Sequence, residues 1–228
     1  LTFEIVDVPA LAAVCRERGV LTVMDSTWAA GLSFRPLDHG VDVSVQALTK
    51  YAAGHSDLLM GGVAVRDRQI GRTILETIED MGWHVSPDDA WLALRGLRTL
   101  PLRYAEQACS ALAVAEWLQQ RPEVARVLYP PLPGSVGHDL WRRDYSGAAS
   151  LMGVVMEGGD KVAAHALMRA LSLFGMGYSW GGFESLVTHE TPQLAYRRHA
   201  PTLEGQLLRL HIGLEDPADL IADLENGL

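Results

Sequence analysis

Along the first hundred residues the apolar positions switch between a helical and a strand period. Asp7 stands as a helix N-cap with Pro9 in the first turn, where a missing N–H costs little. A run through Leu11, Val14 and Cys15 follows and closes at Gly19, a C′ position. Val20-Leu21-Thr22-Val23-Met24 reads as a buried strand ending on Asp25. Val41–Val45 alternates with period two, and Gly61–Val65 reads as a further strand. Arg66–Met81 is helical, with Ile70, Ile74 and Ile78 on one stripe. Short strands separated by helices predict an α/β architecture with a largely parallel sheet.

Ser86-Pro87-Asp88-Asp89 combines a Ser cap, Pro at the first helical position and an early acid, which starts a helix. The helical tract runs to Gln120, interrupted around Gly96 and Pro101, and a domain boundary is expected near Gly96. Beyond it, Arg126–Tyr129, Leu151–Met156 and Leu207–Ile212 read as strands and Asp160–Leu171 as a helix. Pro130–Gly134 is loop, and Asp216-Pro217-Ala218-Asp219 caps a last helix. The second half is expected to be an α+β domain.

Composition narrows the class without changing that picture. At roughly 150 residues per domain, 228 residues make one large domain or two small ones. The longest apolar or glycine-containing runs, Leu58–Val65 and Ala148–Met156, fall far short of the roughly 18–20 residues a membrane span needs. The net charge of −9 argues against a nucleic-acid partner, whose phosphates must be neutralised. Cys15 and Cys109 have no CxxC spacing and suit a reducing cytoplasm. The scattered histidines form no HExxH set, so no metal is expected. No leader pattern opens the chain, and Leu1 rather than Met stands first, as in a trimmed or partial sequence.

Chemistry concentrates in Ala47–Asp57. Of nineteen basic residues all but Lys50 and Lys161 are Arg. Lys50 follows a strand among small and apolar neighbours with no acid beside it. A desolvated lysine of this kind has a lowered pKa and becomes a nucleophile able to form an imine; a surface lysine at a strand end is the plainer reading of the spacing. Asp25 closes its own strand and points to the crevice where α/β proteins bind ligands, although Asp-Ser-Thr is also good capping chemistry.

Taken together, Asp25–Gly31, Arg35–Ser44, Thr49-Lys50-Tyr51 with Gly54–Asp57, Ser172–Phe174, Tyr178–Ser185 and Arg209–Asp216 resemble, over essentially the whole chain, the pyridoxal-phosphate enzymes of cysteine and methionine metabolism. The motifs are closest to the bacterial β-lyases of that family. The resemblance implies a fold-type I pyridoxal-phosphate enzyme, with residues 1–96 as the remaining part of the large cofactor domain and 97–228 as a C-terminal α+β domain with its linking helix. It implies that Lys50 carries the cofactor and Asp25 partners its ring nitrogen, with Thr49 and Thr27 among the cofactor-binding residues. Ser179 orients the lysine and substrate, Arg209 clamps the substrate carboxylate, and Trp180 marks the β-lyase branch. Tyr51 and His55 are structural support.

The implied reaction is a β-elimination on an amino-acid thioether by a cytoplasmic homotetramer. The γ-lyases, γ-synthases and methionine γ-lyases of the family share these residues up to the last bond broken. Ser26 stands where many relatives have Asn, and Ala47 where several carry a phosphate-binding Ser. By the same resemblance the chain matches roughly the last three-fifths of such an enzyme. The stacking tyrosine and the helix N-terminus that holds the phosphate lie upstream of Leu1. A weakly occupied or absent cofactor is therefore expected in this chain, with an open Asp25–Lys50 crevice and apolar strand edges covered by a neighbouring chain. Two other classes compete: a serine hydrolase built on Gly177-Tyr178-Ser179-Trp180-Gly181 with His211, and a cofactor-free assembly piece.

Overall fold

A computed structural model describes residues 1–199 and 201–228. Helix α1 (Val8–Glu17) begins where Asp7 accepts the Ala10 N–H and ends before Gly19, as the sequence predicts. Its buried side is the reverse of the expected one. Val8 and Ala12 are buried, whereas Leu11 and Val14 face outward. Strand β1 (Val23–Asp25) is shorter than expected and is not buried: Val20, Leu21 and Val23 are all exposed. Strands β2 (Val43–Ala47) and β3 (Gly61–Val65) complete a three-stranded sheet in the order β1-β2-β3. β1 and β2 run parallel with Asp25 opposite Val45, but β2 and β3 are antiparallel. The expected largely parallel sheet is thus a mixed one. The turn after β2 lets β3 fold straight back instead of crossing over through a helix.

Helix α2 (Arg68–Asp80) is capped by Asp67 and buries no residue fully, its Ile70–Ile74–Ile78 stripe being only half-covered. Helix α3 (Pro87–Leu97) starts at the Ser86 cap, and α4 (Leu100–Leu118) follows after a break at Arg98-Thr99 that places Pro101 in its first turn. Then come β4 (Val124–Leu128), α5 (His138–Asp144), β5 (Leu151–Met156), α6 (Lys161–Ala170), β6 (Gly175–Met176), β7 (Leu186–His189), α7 (Thr191–Leu194), β8 (Leu207–His211) and α8 (Pro217–Gly227). The second sheet has the order β4-β5-β8-β7-β6 and is antiparallel except at its β6–β7 edge.

The main core lies between one face of this second sheet and helices α4, α6 and α8. Met152, Val154, Val187, Leu208 and Leu210 meet Val114, Leu118, Leu167 and Leu220 there. Successive strand residues point to opposite faces. With Leu208 and Leu210 committed to that core, Leu207, Arg209 and His211 must face the other way. That alternation carries the chemistry of the chain to one side of β8.

Candidate active site

Lys50 sits in the turn that leaves β2. The turn is wound by its own backbone, with the Lys50 N–H donating to Ala47 O, Ala53 N–H to Leu48 O and Gly54 N–H to Lys50 O. It is also tied to α4. The buried Arg103 guanidinium donates to Tyr51 O at 2.9 Å, Ala52 O at 3.3 Å and Gly96 O at 2.9 Å. Gly96 packs directly on the Ala52 and Ala53 backbone, so a side chain there would collide with the turn. Neither Arg103 nor this role for Gly96 is visible in local sequence patterns, because the partners lie about fifty residues apart.

The Lys50 amine is half-buried, and burial, reinforced by the nearby Arg209 charge, lowers its pKa. Nζ donates to Ser179 Oγ at 3.2 Å and lies 5.3 Å from the Trp180 ring centroid. It makes no ion pair among the described residues. This is the environment that favours a neutral, nucleophilic amine.

Asp25 ends β1 at the same end of the parallel pair at which β2 gives way to the Lys50 turn. Its Oδ1 accepts the Thr27 N–H at 2.9 Å and the Thr27 hydroxyl at 2.5 Å, while Oδ2 makes no hydrogen bond among the described residues. Thr27 Oγ1 in turn accepts the Ala47 N–H at 2.8 Å, which ties Asp25 to the strand carrying Lys50. Thr49 is less available than expected. Its hydroxyl donates to Met60 O at 3.3 Å and accepts the Met60 N–H at 3.0 Å, so the turn itself occupies the proton a phosphate would need.

Ser179, Trp180 and Gly181 lie in the loop between β6 and β7. Gly181 has φ +80°, and a Cβ there would stand 2.6 Å from Tyr51 N, so only glycine lets this loop lie against the Lys50 turn. The Trp180 ring meets Tyr51 edge-on, centroids 5.5 Å apart. Arg209, opposite Thr188 in the β7–β8 ladder, donates through Nη2 to Tyr178 O at 2.8 Å and to Gly177 O and Ser179 O at 3.4 Å. Its Nε stands 3.7 Å from the fully buried Glu190, a carboxylate that local reading of the sequence misses. Nη1 makes no hydrogen bond among the described residues. Tyr51 is also a buried support, its hydroxyl meeting Ser150 and its pKa pushed up to about 12 by burial. His55 is exposed and bonds only back to Ala53 O.

A primary amine without an acid partner, a carboxylate with one oxygen uncommitted and a half-buried guanidinium with donors to spare suit an anionic, imine-forming cofactor and an amino-acid substrate.

The whole chain, residues 1–228, matches the family model described as Cys/Met metabolism PLP-dependent enzyme. The chain belongs to that family. It is 49% identical over its full length to a cystathionine beta-lyase of Bordetella avium, and 45% identical to cystathionine beta-lyase MetC of Escherichia coli strain K12. A crystal structure of cystathionine gamma synthase from Xanthomonas oryzae pv. oryzae in complex with cystathionine superposes at a TM-score of 0.92, with 36% identity, covering 98% of this chain and 59% of that one. The chain spans 58% of the length of the Bordetella relative and 59% of the Escherichia coli one.

The serine-hydrolase alternative fails within this family and in this geometry. Ser179 is flanked by loop rather than by a strand and a helix, and His211 bonds to Gly181 and Ser150 instead of to the Ser179 hydroxyl. Among the described residues no group of three or more His, Cys, Asp or Glu gathers as a metal site, and no helix is long and apolar enough to cross a membrane.

Proposed function

We propose that this chain is the lysine-bearing part of a pyridoxal-phosphate carbon–sulfur lyase that converts L-cystathionine and water to homocysteine, pyruvate and ammonia. The observation that carries the reading is the Lys50 amine, half-buried, without an acid partner among the described residues, and held between Ser179 Oγ and the Trp180 ring. The bound cofactor supplies an aldehyde for imine formation and a ring that accepts electrons from the substrate α-carbon. Lys50 would hold the cofactor, and its amine is placed to take up the substrate α-proton, a general-base task worth roughly 10²–10⁴-fold. Ser179 steadies that amine by accepting its hydrogen bond.

Asp25, its Oδ1 held by the two Thr27 donors, offers its open oxygen to the cofactor's ring nitrogen. Thr27 braces Asp25 against β2, and Thr49 supports the turn with any phosphate contact secondary to its bonds with Met60. Arg209 presents its uncommitted donors to the substrate α-carboxylate, and Glu190 keeps the guanidinium paired within the protein. Trp180 over Lys50 supports the β-lyase branch over the γ-lyases and γ-synthases.

The exposed Val20, Leu21 and Val23 along β1, and Trp83, Trp91 and Leu94 around α3, support assembly with further copies of the protein as a tetramer. The unpaired Cys15 and Cys109 suit the cytoplasm. The test is product analysis with the full-length enzyme: cystathionine should yield pyruvate, and Lys50→Ala should abolish its formation without loss of folding. Formation of 2-oxobutyrate would assign a γ-elimination instead. Near-wild-type turnover in the Lys50 variant would remove Lys50 from the mechanism.

A further inference from the structure

His211 is fully buried, and the proposed reaction makes no direct use of it. Its partners connect it to the Ser179 loop and, through Tyr51, to the Lys50 turn. Nε2 lies 3.0 Å from the Gly181 N–H, two residues beyond Ser179, and Nδ1 lies 3.0 Å from Ser150 Oγ. Ser150 Oγ is in turn 3.0 Å from the hydroxyl of Tyr51, the neighbour of Lys50. A backbone N–H only donates, and Gly181 N lies nearer Nε2 than Nδ1 (3.0 against 3.5 Å), so Nε2 is assigned as the acceptor. The other nitrogen then carries the proton and donates to Ser150. Burial, reinforced by the nearby Arg209 and Lys50 side chains, pushes the His211 pKa down to about 4, so the ring is neutral near pH 7. The second contact of Nε2, Gly182 O at 3.3 Å, is the one a protonated ring would favour.

Two residues of β8 thus grip one loop from the same face. Arg209 holds the carbonyls of residues 177–179, and His211 holds the N–H of Gly181. The loop bearing Ser179 and Trp180 is fixed at both ends against the Lys50 turn.

We propose that His211 is a positioning residue, whose neutral imidazole accepts the Gly181 N–H and so holds Ser179 and Trp180 over Lys50. The proposal rests on Lys50 as the reacting amine, but its test does not depend on turnover. A Gln amide reaches as far as Nε2, whereas an Asn amide reaches only as far as Nδ1. His211→Gln therefore preserves the 3.0 Å Gly181 contact, whereas His211→Asn can offer only the weaker 3.5 Å one, at similar polarity.

The full-length protein, freed of cofactor, is pulse-labelled with acetic anhydride across a pH series. Acetylation of Lys50 is read by mass spectrometry against Lys161, the only other lysine of this chain. The Lys50 midpoint should be the same in wild type and His211→Gln. In His211→Asn it should rise by about one pH unit as the covering loop loosens and solvent returns to the amine. In the loaded enzyme, His211→Asn should lower kcat about tenfold with KM within about twofold, and His211→Gln should stay near wild type, one pKa unit and one decade in rate being the same free-energy step. Equal midpoints in all three proteins, or equal displacement in both variants, would overturn the assignment. Should the Asn protein not fold, the Gln protein alone decides, since a displaced midpoint there overturns it too. Retained turnover in Lys50→Ala would instead defeat the underlying reading and leave the labelling result standing.

Discussion

In β8 every residue except Arg209 is buried, whereas in β3 none is, and the two strands belong to sheets held in different ways. The five-stranded sheet has helices α4, α6 and α8 packed on one face and the Ser179 loop gripped by the other. The three-stranded sheet ends in an open β1 edge and is flanked by α2, which buries nothing fully. Within this chain, which spans 58% of the length of the Bordetella relative, Lys50 and Asp25 belong to the more thinly packed sheet. The groups that orient them come from the thickly packed one. Within this chain the Lys50 turn is tied to the second half by a few long-range bonds, those of Arg103 chief among them.

That contrast can be broken at its strongest point by cutting the thick core. Leu220 of α8 is fully buried, and Leu220→Ala should cost about 2–5 kcal/mol in denaturant unfolding, the usual range for a core Leu. A loss below about 1 kcal/mol would mean that the second sheet is no better packed than the first. Acid comes next. Because His211 is held neutral with a pKa of about 4, the unfolded chain binds its proton more readily near pH 5. The stability it contributes is complete above the unfolded value of about 6.5 and disappears as pH falls through 4, a few kcal/mol in all. Urea midpoints measured between pH 7 and 4 should show this decline, and its slope should flatten in His211→Gln; identical slopes would deny His211 the role. The smallest effect is expected on the thin side. Leu75 of α2 is more than half exposed, and Leu75→Ala should change stability by less than about 0.5 kcal/mol, measured in dilute solution where copies of the chain do not associate. A core-sized loss there would erase the distinction between the two sheets.

The two halves were also unequally legible. Strands β3 and β5 begin and end where their β-branched and apolar runs do, because those runs coincide with ladder pairing. Capping chemistry placed α1, α3 and α8 through Asp7, Ser86 and Asp216, since a cap is a local hydrogen bond. Burial was harder to read. Leu11, Val14 and Val20–Val23 look like core residues but face outward here, because an apolar stripe says that a face is covered without saying by what. Strands β6 and β7 escaped notice. Gly175-Met176 is too short to show a period, and Thr188 and His189 break the apolar run of Leu186-Val187.

Motifs point to Lys50, Asp25, Ser179, Trp180 and Arg209 as site candidates, and the fold brings them near one another. Motifs do not show what holds them. Arg103, Glu190 and the His211–Gly181 bond act across 52, 19 and 30 residues of chain, distances at which periodicity carries no signal. Thr49 shows the converse, since its motif position was clear but its hydroxyl is engaged by Met60.

Lys50, poised beneath Ser179 and Trp180, is proposed here as the residue that binds pyridoxal phosphate. Borohydride reduction of the full-length protein with the cofactor, followed by peptide mass mapping, tests this assignment most directly. A phosphopyridoxyl adduct is expected on the peptide containing Lys50 and none on the peptide containing Lys161. An unmodified Lys50, or an adduct on Lys161 alone, would contradict it and would leave the chain as a cofactor-free assembly piece.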